Sequence, residues 1–305
     1  MKAILLSAYG GPEKLELRET PEPKPGAGQI KVKVASASLN PIDWKLRSGA
    51  VKNRMPLELP AILGRDAAGE VTEVGSGVTG FKVGDRVMGF VNAAYAEFVV
   101  APVESWAPLH DGLTTDEAGA VPLVVLTGDQ LAQGALSGDV SSAGGKTVLV
   151  TGAIGGVGRT AVWVAKSHGA RVLAGVRTKQ AKEAETIGAD GVVLLDDPKS
   201  LEKLEPLDAI ADTVGGDTLA KLLPKVKPGG TVASVVGEPA GAKEKGLKAV
   251  AVFAHPDAKR LEQLGDDVAH RKLTIPIAKR FPLAEAAAAH TLAEKGGIGK
   301  VLLKP

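Results

Sequence analysis

The feature that most constrains the fold is a glycine-rich loop that joins an apolar run to an amphipathic stretch. Residues 146–151 read KTVLVT, a continuous apolar run that is typical of a strand buried on both faces of a sheet. Gly156–His168 then places apolar residues on one helical face, and Gly169 is a suitable C-terminal stop. The chain is therefore expected to pass from a buried strand through a tight turn into a helix.

Glycines at such a turn allow the backbone to approach a pyrophosphate, and the helix N-terminus offers free N–H groups and a positive dipole. The spacing here is GxxGxxG, and a glycine cluster alone is weak evidence, because such turns join strands to helices in many folds. The strand, loop, helix and following strand together favour a dinucleotide site. The predicted contact residues are Gly152, Ala153, Ile154, Gly155, Gly156, Val157 and Gly158.

The end of the second strand indicates which dinucleotide binds. This strand is expected over Arg171–Val176, and Arg177, Thr178 and Lys179 follow it. NAD sites place a carboxylate about 20 residues beyond the glycines, where it holds the ribose 2′-hydroxyl. No carboxylate stands here, and two cations with a hydroxyl suit a 2′-phosphate. We therefore predict NADPH, the alternative being that both cations are simply solvated.

Strands and helices continue to alternate beyond this unit. A helix is expected over Gln180–Ile187, and further buried strands over Gly191–Leu195, Ala209–Thr213 and Thr231–Val236. Buried strands that alternate with helices predict a doubly wound parallel sheet.

The two ends of the chain have a different texture. Short alternating runs separated by Gly/Pro turns predict a β-rich barrel, and they span residues 30–36, 69–74, 85–91 and 96–100. An Ala-rich helix over Leu283–Leu292 and a strand over Lys300–Leu303 close the chain. The predicted class is α/β: a β-rich domain of residues 1–122 and 273–305, with a nucleotide domain of residues 123–272 inserted.

Charge and cysteine content exclude other classes of function. The net charge is +2 and the chain has no cysteine, so neither a nucleic-acid surface, nor a disulfide, nor a thiolate metal site is expected. No apolar run approaches the roughly 20 residues of a membrane helix, and no signal peptide is recognisable. We expect a cytoplasmic protein without a membrane or metal site. The histidines lack ligand spacing and are read as surface or helix-end residues: His110, His168, His255, His270 and His290.

In their order along the chain, these features resemble the quinone oxidoreductase (zeta-crystallin-like) branch of the medium-chain dehydrogenase/reductase superfamily. The resemblance implies a GroES-like first domain, a Rossmann domain and an active-site cleft between them. It also implies frequent dimers through an edge strand, here Lys248–Phe253. Besides the glycine loop, the motifs that carry it are Asn40–Gly49 (NPIDWKLRSG), Leu63–Gly69 (LGRDAAG), Gly84–Gly89 (GDRVMG), Tyr95–Val100 (YAEFVV), Asp212–Gly216 (DTVGG) and Gly299–Leu303 (GKVLL).

The chain departs from the zinc-dependent members of that superfamily. They place a cysteine ligand near Asn40 and a histidine near Arg65, where this sequence has neither. Without a Lewis acid, alcohol oxidation is hard, whereas hydride can pass directly to an activated, conjugated acceptor. The resemblance thus implies an NADPH-dependent reductase of quinones or α,β-unsaturated carbonyls. An NADPH-binding sensor or scaffold with little turnover, and a zinc-independent NADP alcohol dehydrogenase, are the alternatives.

The resemblance also points to site residues. Asn40, Lys45 and Arg65 are the catalytic candidates, although Asn40 also suits a helix N-cap and Arg65 also suits a pair with Asp66. No counterpart of a tyrosine proton donor is found, so the proton source stays open. The residues expected along the nicotinamide are Thr127, Val214, Val236, Gly237, Phe253 and Ala254.

Overall fold

The computed structural model describes residues 1–138 and 143–305. Their contacts divide the chain into one unit of residues 1–123 and 256–305 and a second unit of residues 124–255.

The first unit begins with strands joined by short turns. Apolar residues alternate along β3 because every second side chain, at Ile30, Val32 and Val34, is buried in the core of this unit. The elements are β1 (Lys2–Leu6), β2 (Leu15–Glu19), β3 (Gln29–Ser38), α1 (Pro41–Ser48), β4 (Ala61–Ile62), β5 (Asp66–Val74), β6 (Arg86–Phe90), β7 (Phe98–Pro102), β8 (Trp106–Pro108) and α2 (Thr115–Ala118).

The second unit alternates strands and helices, as the buried apolar runs predict. Its strands are all parallel, in the order β11-β10-β9-β12-β13-β14, which is the doubly wound order. The elements are α3 (Pro122–Ala135), β9 (Thr147–Thr151), α4 (Gly156–Ser167), β10 (Arg171–Val176), α5 (Ala181–Ala184), β11 (Gly191–Leu194), α6 (Pro198–Glu202), β12 (Leu207–Asp212), α7 (Gly216–Leu222), β13 (Val226–Ser234) and β14 (Lys248–Ala251).

The chain then returns to the first unit and completes its sheet. The returning elements are α8 (Ala258–Ala269), β15 (Ile277–Pro282), α9 (Ala286–Ala293) and β16 (Lys300–Lys304). The larger sheet has the order β15-β16-β3-β5-β6-β8 with β7 also on β3, and a small sheet has the order β2-β1-β4. The predicted α/β class, with a β-rich part and a parallel-sheet part, is confirmed.

The return to the first unit falls earlier than the predicted residue 272. Helix α8 packs within the first unit, where a Cβ on Gly265 would lie 2.1 Å from Met88 Cε. In addition, His110 Nε2 lies 2.8 Å from Glu262 Oε1. An amphipathic helix such as α8 could pack against either unit. Which unit it joins is decided by tertiary contacts that the sequence does not reveal.

Candidate functional site

The glycine loop between β9 and α4 has the form that a pyrophosphate cradle needs. Gly152 is left-handed, with φ of +61°, and a Cβ there would lie 2.3 Å from Thr213 Oγ1. A Cβ on Gly158 would lie 2.3 Å from the Gly152 carbonyl oxygen. Gly155 is the residue before the helix, and among residues 1–138 and 143–305 a Cβ there would meet only that same oxygen, at 3.3 Å. The loop is therefore packed tightly behind and open at the start of α4, where first-turn N–H groups have no helical partner.

A buried aspartate holds the neighbouring loop in place. Asp212, the last residue of β12, accepts through Oδ1 from the Thr151 hydroxyl at 2.7 Å and from the Val214 and Gly215 N–H groups at 3.1 and 3.0 Å. Its Oδ2 accepts from the Ser234 hydroxyl at 2.7 Å. One carboxylate thus joins the carboxyl ends of β9, β12 and β13. In the sequence, this aspartate closes an apolar strand and begins the DTVGG motif, but neither feature predicts its hydrogen bonds at the ends of three strands.

Apolar side chains are exposed at the same edge of the sheet. Val214, Val236 and Phe253 follow β12, β13 and β14, with 45%, 42% and 68% of their surfaces exposed. Gly237 has φ of +131°, and a Cβ there would meet no atom within 4 Å in the described part of the chain, so the backbone beside these side chains is open. Ala254 is half-buried. This patch and the glycine loop lie at the carboxyl edge, where doubly wound sheets bind ligands.

Thr127 lies on α3 with an unsatisfied hydroxyl. The residue is 7% exposed, and its Oγ1 has no hydrogen-bond partner within the described part of the chain. A Cβ on the neighbouring Gly128 would lie 2.5 Å from the Val157 carbonyl oxygen, so α3 packs closely against α4 at this point. A buried hydroxyl without a partner costs about 1–3 kcal/mol. It therefore fits a position at which a bound group supplies the hydrogen bond.

The turn after β10 differs from the sequence-based expectation. Arg177 and Lys179 are exposed, as expected of phosphate-binding cations. However, Asp196 from the end of β11 accepts the Thr178 N–H at 2.7 Å and the Thr178 hydroxyl at 2.8 Å. These hydrogen bonds hold the pKa of the Asp196 carboxyl below its usual value. The expectation that no carboxylate stands at this point is wrong, because the parallel pairing of β10 and β11 brings one from 18 residues away.

In the first unit, Asn40 lies inside a buried polar network. It precedes α1, where its N–H donates to Asp43 Oδ2 at 2.8 Å. Its side-chain Nδ2 donates to Asp66 Oδ2 at 2.8 Å, and its Oδ1 accepts from Lys300 Nζ at 2.6 Å. Both ends of the amide are therefore engaged within the unit, by the side chains of Asp66 and Lys300.

Lys300 and Asp66 form the charged centre of that network. Both are buried, with Nζ and Oδ2 3.5 Å apart. Lys300 also donates to the Leu39 carbonyl at 3.1 Å, while Asp66 Oδ1 accepts the Leu123 N–H at 2.6 Å. Burial lowers the pKa of Lys300 despite the nearby carboxylates. The network joins β16, β5 and the start of α3.

Arg65 does not pair with Asp66, so that predicted alternative is wrong. Its guanidinium carbon lies 5.4 Å from the centre of the Phe90 ring, and its buried Nε has no hydrogen-bond partner among residues 1–138 and 143–305. Lys45 is a half-buried residue of α1. Arg65 thus combines a cation with an unused N–H donor, which can donate a hydrogen bond to a substrate carbonyl oxygen.

His290 is buried in the last turn of α9, so it lies near a helix end as one part of the prediction has it, but its assignment to the surface is wrong. Its ring meets Tyr95 edge-on with centroids 5.8 Å apart, and its Nδ1 lies 3.2 Å from a guanidinium nitrogen of Arg47. Arg47 also pairs with Glu294 at 2.5 Å. Burial, and secondarily Arg47, lowers the pKa of His290 to about 3. Burial also raises the pKa of Asp43 to about 6.

These two shifts predict opposite pH dependences of stability for two variants. His290 binds a proton more weakly when folded, so its contribution is lost as pH falls from 6.5 towards 3. Asp43 binds a proton more tightly when folded, so its contribution is lost as pH rises through about 6. As pH falls from about 6 to 4, the free energy of unfolding of His290→Gln should rise relative to that of the wild type by about 1 kcal/mol per pH unit. That of Asp43→Asn should fall relative to the wild type by as much. Urea unfolding at several pH values measures both, and parallel curves for the two variants would contradict the assignment.

The donors of the described residues do not fit a zinc site. No group of three or more His, Cys, Asp or Glu side chains within residues 1–138 and 143–305 is arranged to hold a metal ion, and the sequence has no cysteine. Over the same residues, no helix combines the length and the apolar character needed to span a bilayer.

Two family models match the chain. Residues 26–111 match the alcohol dehydrogenase GroES-like domain, and residues 187–303 match the zinc-binding dehydrogenase family. The chain is 34% identical over its full length to 99% of a quinone oxidoreductase of Pseudomonas aeruginosa. It is 31% identical to an acryloyl-coenzyme A reductase of Metallosphaera sedula, with 99% of each chain covered.

Among solved structures, the quinone oxidoreductase of Coxiella burnetii is similar with a TM-score of 0.89 at 33% identity, covering 100% of this chain and 99% of that one. The first unit therefore has the GroES-like fold, and the second has the Rossmann fold that binds a nicotinamide cofactor. The chain belongs to the quinone oxidoreductase branch of the medium-chain dehydrogenase/reductase superfamily and is an oxidoreductase.

Proposed function

We propose that the protein is an NADPH-dependent reductase of quinones or α,β-unsaturated carbonyls that acts without zinc. The observation that carries the proposal is the glycine loop at the start of α4, followed by two exposed cations, Arg177 and Lys179, at the end of β10. Glycine loop and helix N-terminus suit a pyrophosphate, and the cations suit the 2′-phosphate that distinguishes NADPH from NADH.

The residues present fit a nicotinamide dinucleotide along the carboxyl edge of the sheet. The open face at Gly155 would receive the pyrophosphate, and the exposed patch of Val214, Val236 and Phe253 would cover one face of a flat apolar ring. The unpaired Thr127 hydroxyl offers a hydrogen bond to a polar substituent. When bound, the reduced nicotinamide supplies a hydride.

The chain's own contribution is to hold the acceptor. Arg65 is our candidate for binding the acceptor oxygen, because its guanidinium has an unused buried donor, with Lys45 as a second cation. Asn40 would act by fixing the start of α1 rather than by touching substrate. No zinc is proposed, since the chain has no cysteine and the described residues offer no ligand cluster.

The names of the relatives support both acceptor classes. One relative is a quinone oxidoreductase and another reduces acryloyl-coenzyme A, whose acyl group is a conjugated carbonyl. Both classes accept hydride at an electrophilic carbon and need a proton afterwards.

We also propose a homodimer through β14, which is the last strand of its sheet and has an open edge.

Turnover with separated acceptors tests the proposal. Oxidation of NADPH and of NADH is followed by absorbance with 1,4-benzoquinone, 9,10-phenanthrenequinone and a series of enones. We expect oxidation with at least one class and a preference for NADPH. NADPH binding without turnover of any acceptor would favour a sensor or scaffold, and alcohol-driven reduction of NADP⁺ would favour an alcohol dehydrogenase.

The cofactor assignment has its own variant. Replacing Arg177 and Lys179 together with alanine should weaken NADPH binding about 30-fold and NADH binding less than about threefold, because only NADPH carries the 2′-phosphate. Fluorescence titration measures both dissociation constants. Lys182→Ala, an exposed cation on α5, is the matched control and should change neither. An equal loss for both cofactors in the double variant would contradict the assignment.

A further inference from the structure

The turn after β10 contains a carboxylate among the groups expected to bind the cofactor. Asp196 lies two residues beyond β11, which pairs in parallel with β10. Its Oδ1 accepts both the N–H and the hydroxyl of Thr178, at 2.7 and 2.8 Å. Thr178 follows the strand end at which the adenosine ribose of a bound dinucleotide lies. The N–H and hydroxyl of Thr178 therefore already donate to one carboxylate oxygen, and neither is free to donate to a 2′-phosphate.

The same carboxylate reduces the positive charge of the turn. Arg177 and Lys179 contribute two positive charges, and Asp196 removes one. Besides the hydrogen bonds from Thr178, the charge of Arg177 lowers the pKa of Asp196, so the carboxyl is ionised at neutral pH and close to that cation. A carboxylate repels a phosphate dianion, but it has lone pairs left to accept a hydrogen bond from a ribose hydroxyl.

We propose that Asp196 is a specificity-determining residue that limits the preference for NADPH and preserves binding of NADH. The inference rests on the proposed function, because it takes Arg177 and Lys179 as the 2′-phosphate site. Arg177 and Lys179 attract the 2′-phosphate of NADPH, while Asp196 opposes it and offers an acceptor to the 2′-hydroxyl of NADH. The chain is then a dual-cofactor enzyme whose preference is set by the balance of three exposed charges.

Replacing Asp196 with asparagine tests the proposal. Asparagine keeps an oxygen that can accept from Thr178, so the turn is retained while the charge is removed. NADPH should bind about tenfold more tightly, as expected for removing a like charge near a phosphate in a solvent-exposed turn, and NADH no more tightly than before. The gain should shrink when salt is raised from about 0.05 to 0.5 M, because exposed charges are screened.

The matched control is Asp197→Asn, which removes the same charge one residue further along. Asp197 caps α6 by accepting the Lys199 N–H at 3.0 Å, a role that asparagine also fills. It has no hydrogen bond to Thr178 among the described contacts, so its replacement should change the NADPH dissociation constant less than about threefold. Fluorescence titrations with NADPH and NADH give all the constants.

The inference is overturned if Asp196→Asn changes NADPH and NADH binding equally, or if the control has the same effect. Two other results separate it from the proposed function. If the Arg177 and Lys179 double variant loses NADPH selectively while Asp196→Asn shows no selective gain, only the role of Asp196 is wrong. If the double variant shows no selective loss, or the wild type binds neither cofactor, the 2′-phosphate site itself is wrong and both proposals fail.

Discussion

Replacing Lys300 with methionine is expected to lower the free energy of unfolding by about 3–5 kcal/mol. Methionine keeps the aliphatic stem but removes the ammonium group that donates to Asn40 Oδ1 and to the Leu39 carbonyl. Asp66 would then be buried without the cation that lies 3.5 Å away, and an uncompensated buried charge is more costly than a lost surface pair. Denaturant unfolding followed by the fluorescence of the buried Trp106 measures the change.

Lys304→Met is the matched control on the same strand. Lys304 pairs with Asp116, and 41% of its side chain is exposed, so the expected loss is at most about 1 kcal/mol. Adding Asp66→Asn to Lys300→Met should recover at least about 1 kcal/mol, because the second change removes the unpaired charge. Equal losses from Lys300→Met and Lys304→Met would show that the buried network contributes no more than a surface pair.

Replacing Gly158 with valine is expected to weaken cofactor binding by about 100-fold or more. Even a Cβ at this position would lie 2.3 Å from the Gly152 carbonyl oxygen and 2.8 Å from Ala153 Cα. Both are backbone atoms, so the glycine loop must move away from the start of α4, and the N–H groups that would meet the pyrophosphate are displaced. Titration with NADPH and NADH measures the effect, which should be similar for the two, since both carry the same pyrophosphate.

Gly144→Ala is the control within the same unit, because a Cβ there would have no neighbour within 4 Å among the described residues. It should leave both dissociation constants unchanged. Thermal unfolding of the two variants separates a displaced loop from a failure to fold. Near wild-type NADPH binding by Gly158→Val would mean that the pyrophosphate lies elsewhere.

The parts of the fold encoded by local pattern could be predicted. The apolar run before the glycines is β9, and the predicted helix over Gly156–His168 differs from α4 by one residue, because helical periodicity and its glycine stop are both local. The helix predicted over Gln180–Ile187 shrinks to Ala181–Ala184. A 3-10 turn over Thr178–Gln180 precedes this short helix, and the last turn of the predicted helix is not helical in the structure.

The parts of the structure that depend on contacts between residues distant in sequence could not be predicted. Asp196 reaches Thr178 through strand pairing, and α8 joins the first unit through side-chain contacts such as those of Met88 with Gly265 and of His110 with Glu262. His290 carries no sequence signal of burial, since the four residues before it are alanines that suit either face of a helix. Such placements follow from tertiary contacts rather than from propensity.

The hydrogen-bond network around Asp212 has a consequence for how the coenzyme preference of this enzyme can change in evolution. It fixes the loop behind the glycines with buried groups from three strands, whereas Arg177, Lys179 and Asp196 stand in water. Exposed substitutions usually alter stability little, so mutation can exchange one coenzyme for the other without disturbing the scaffold. If the proposed cofactor site is correct, one or two surface substitutions would be enough to change the coenzyme preference, while the loop expected to bind the pyrophosphate stays unchanged.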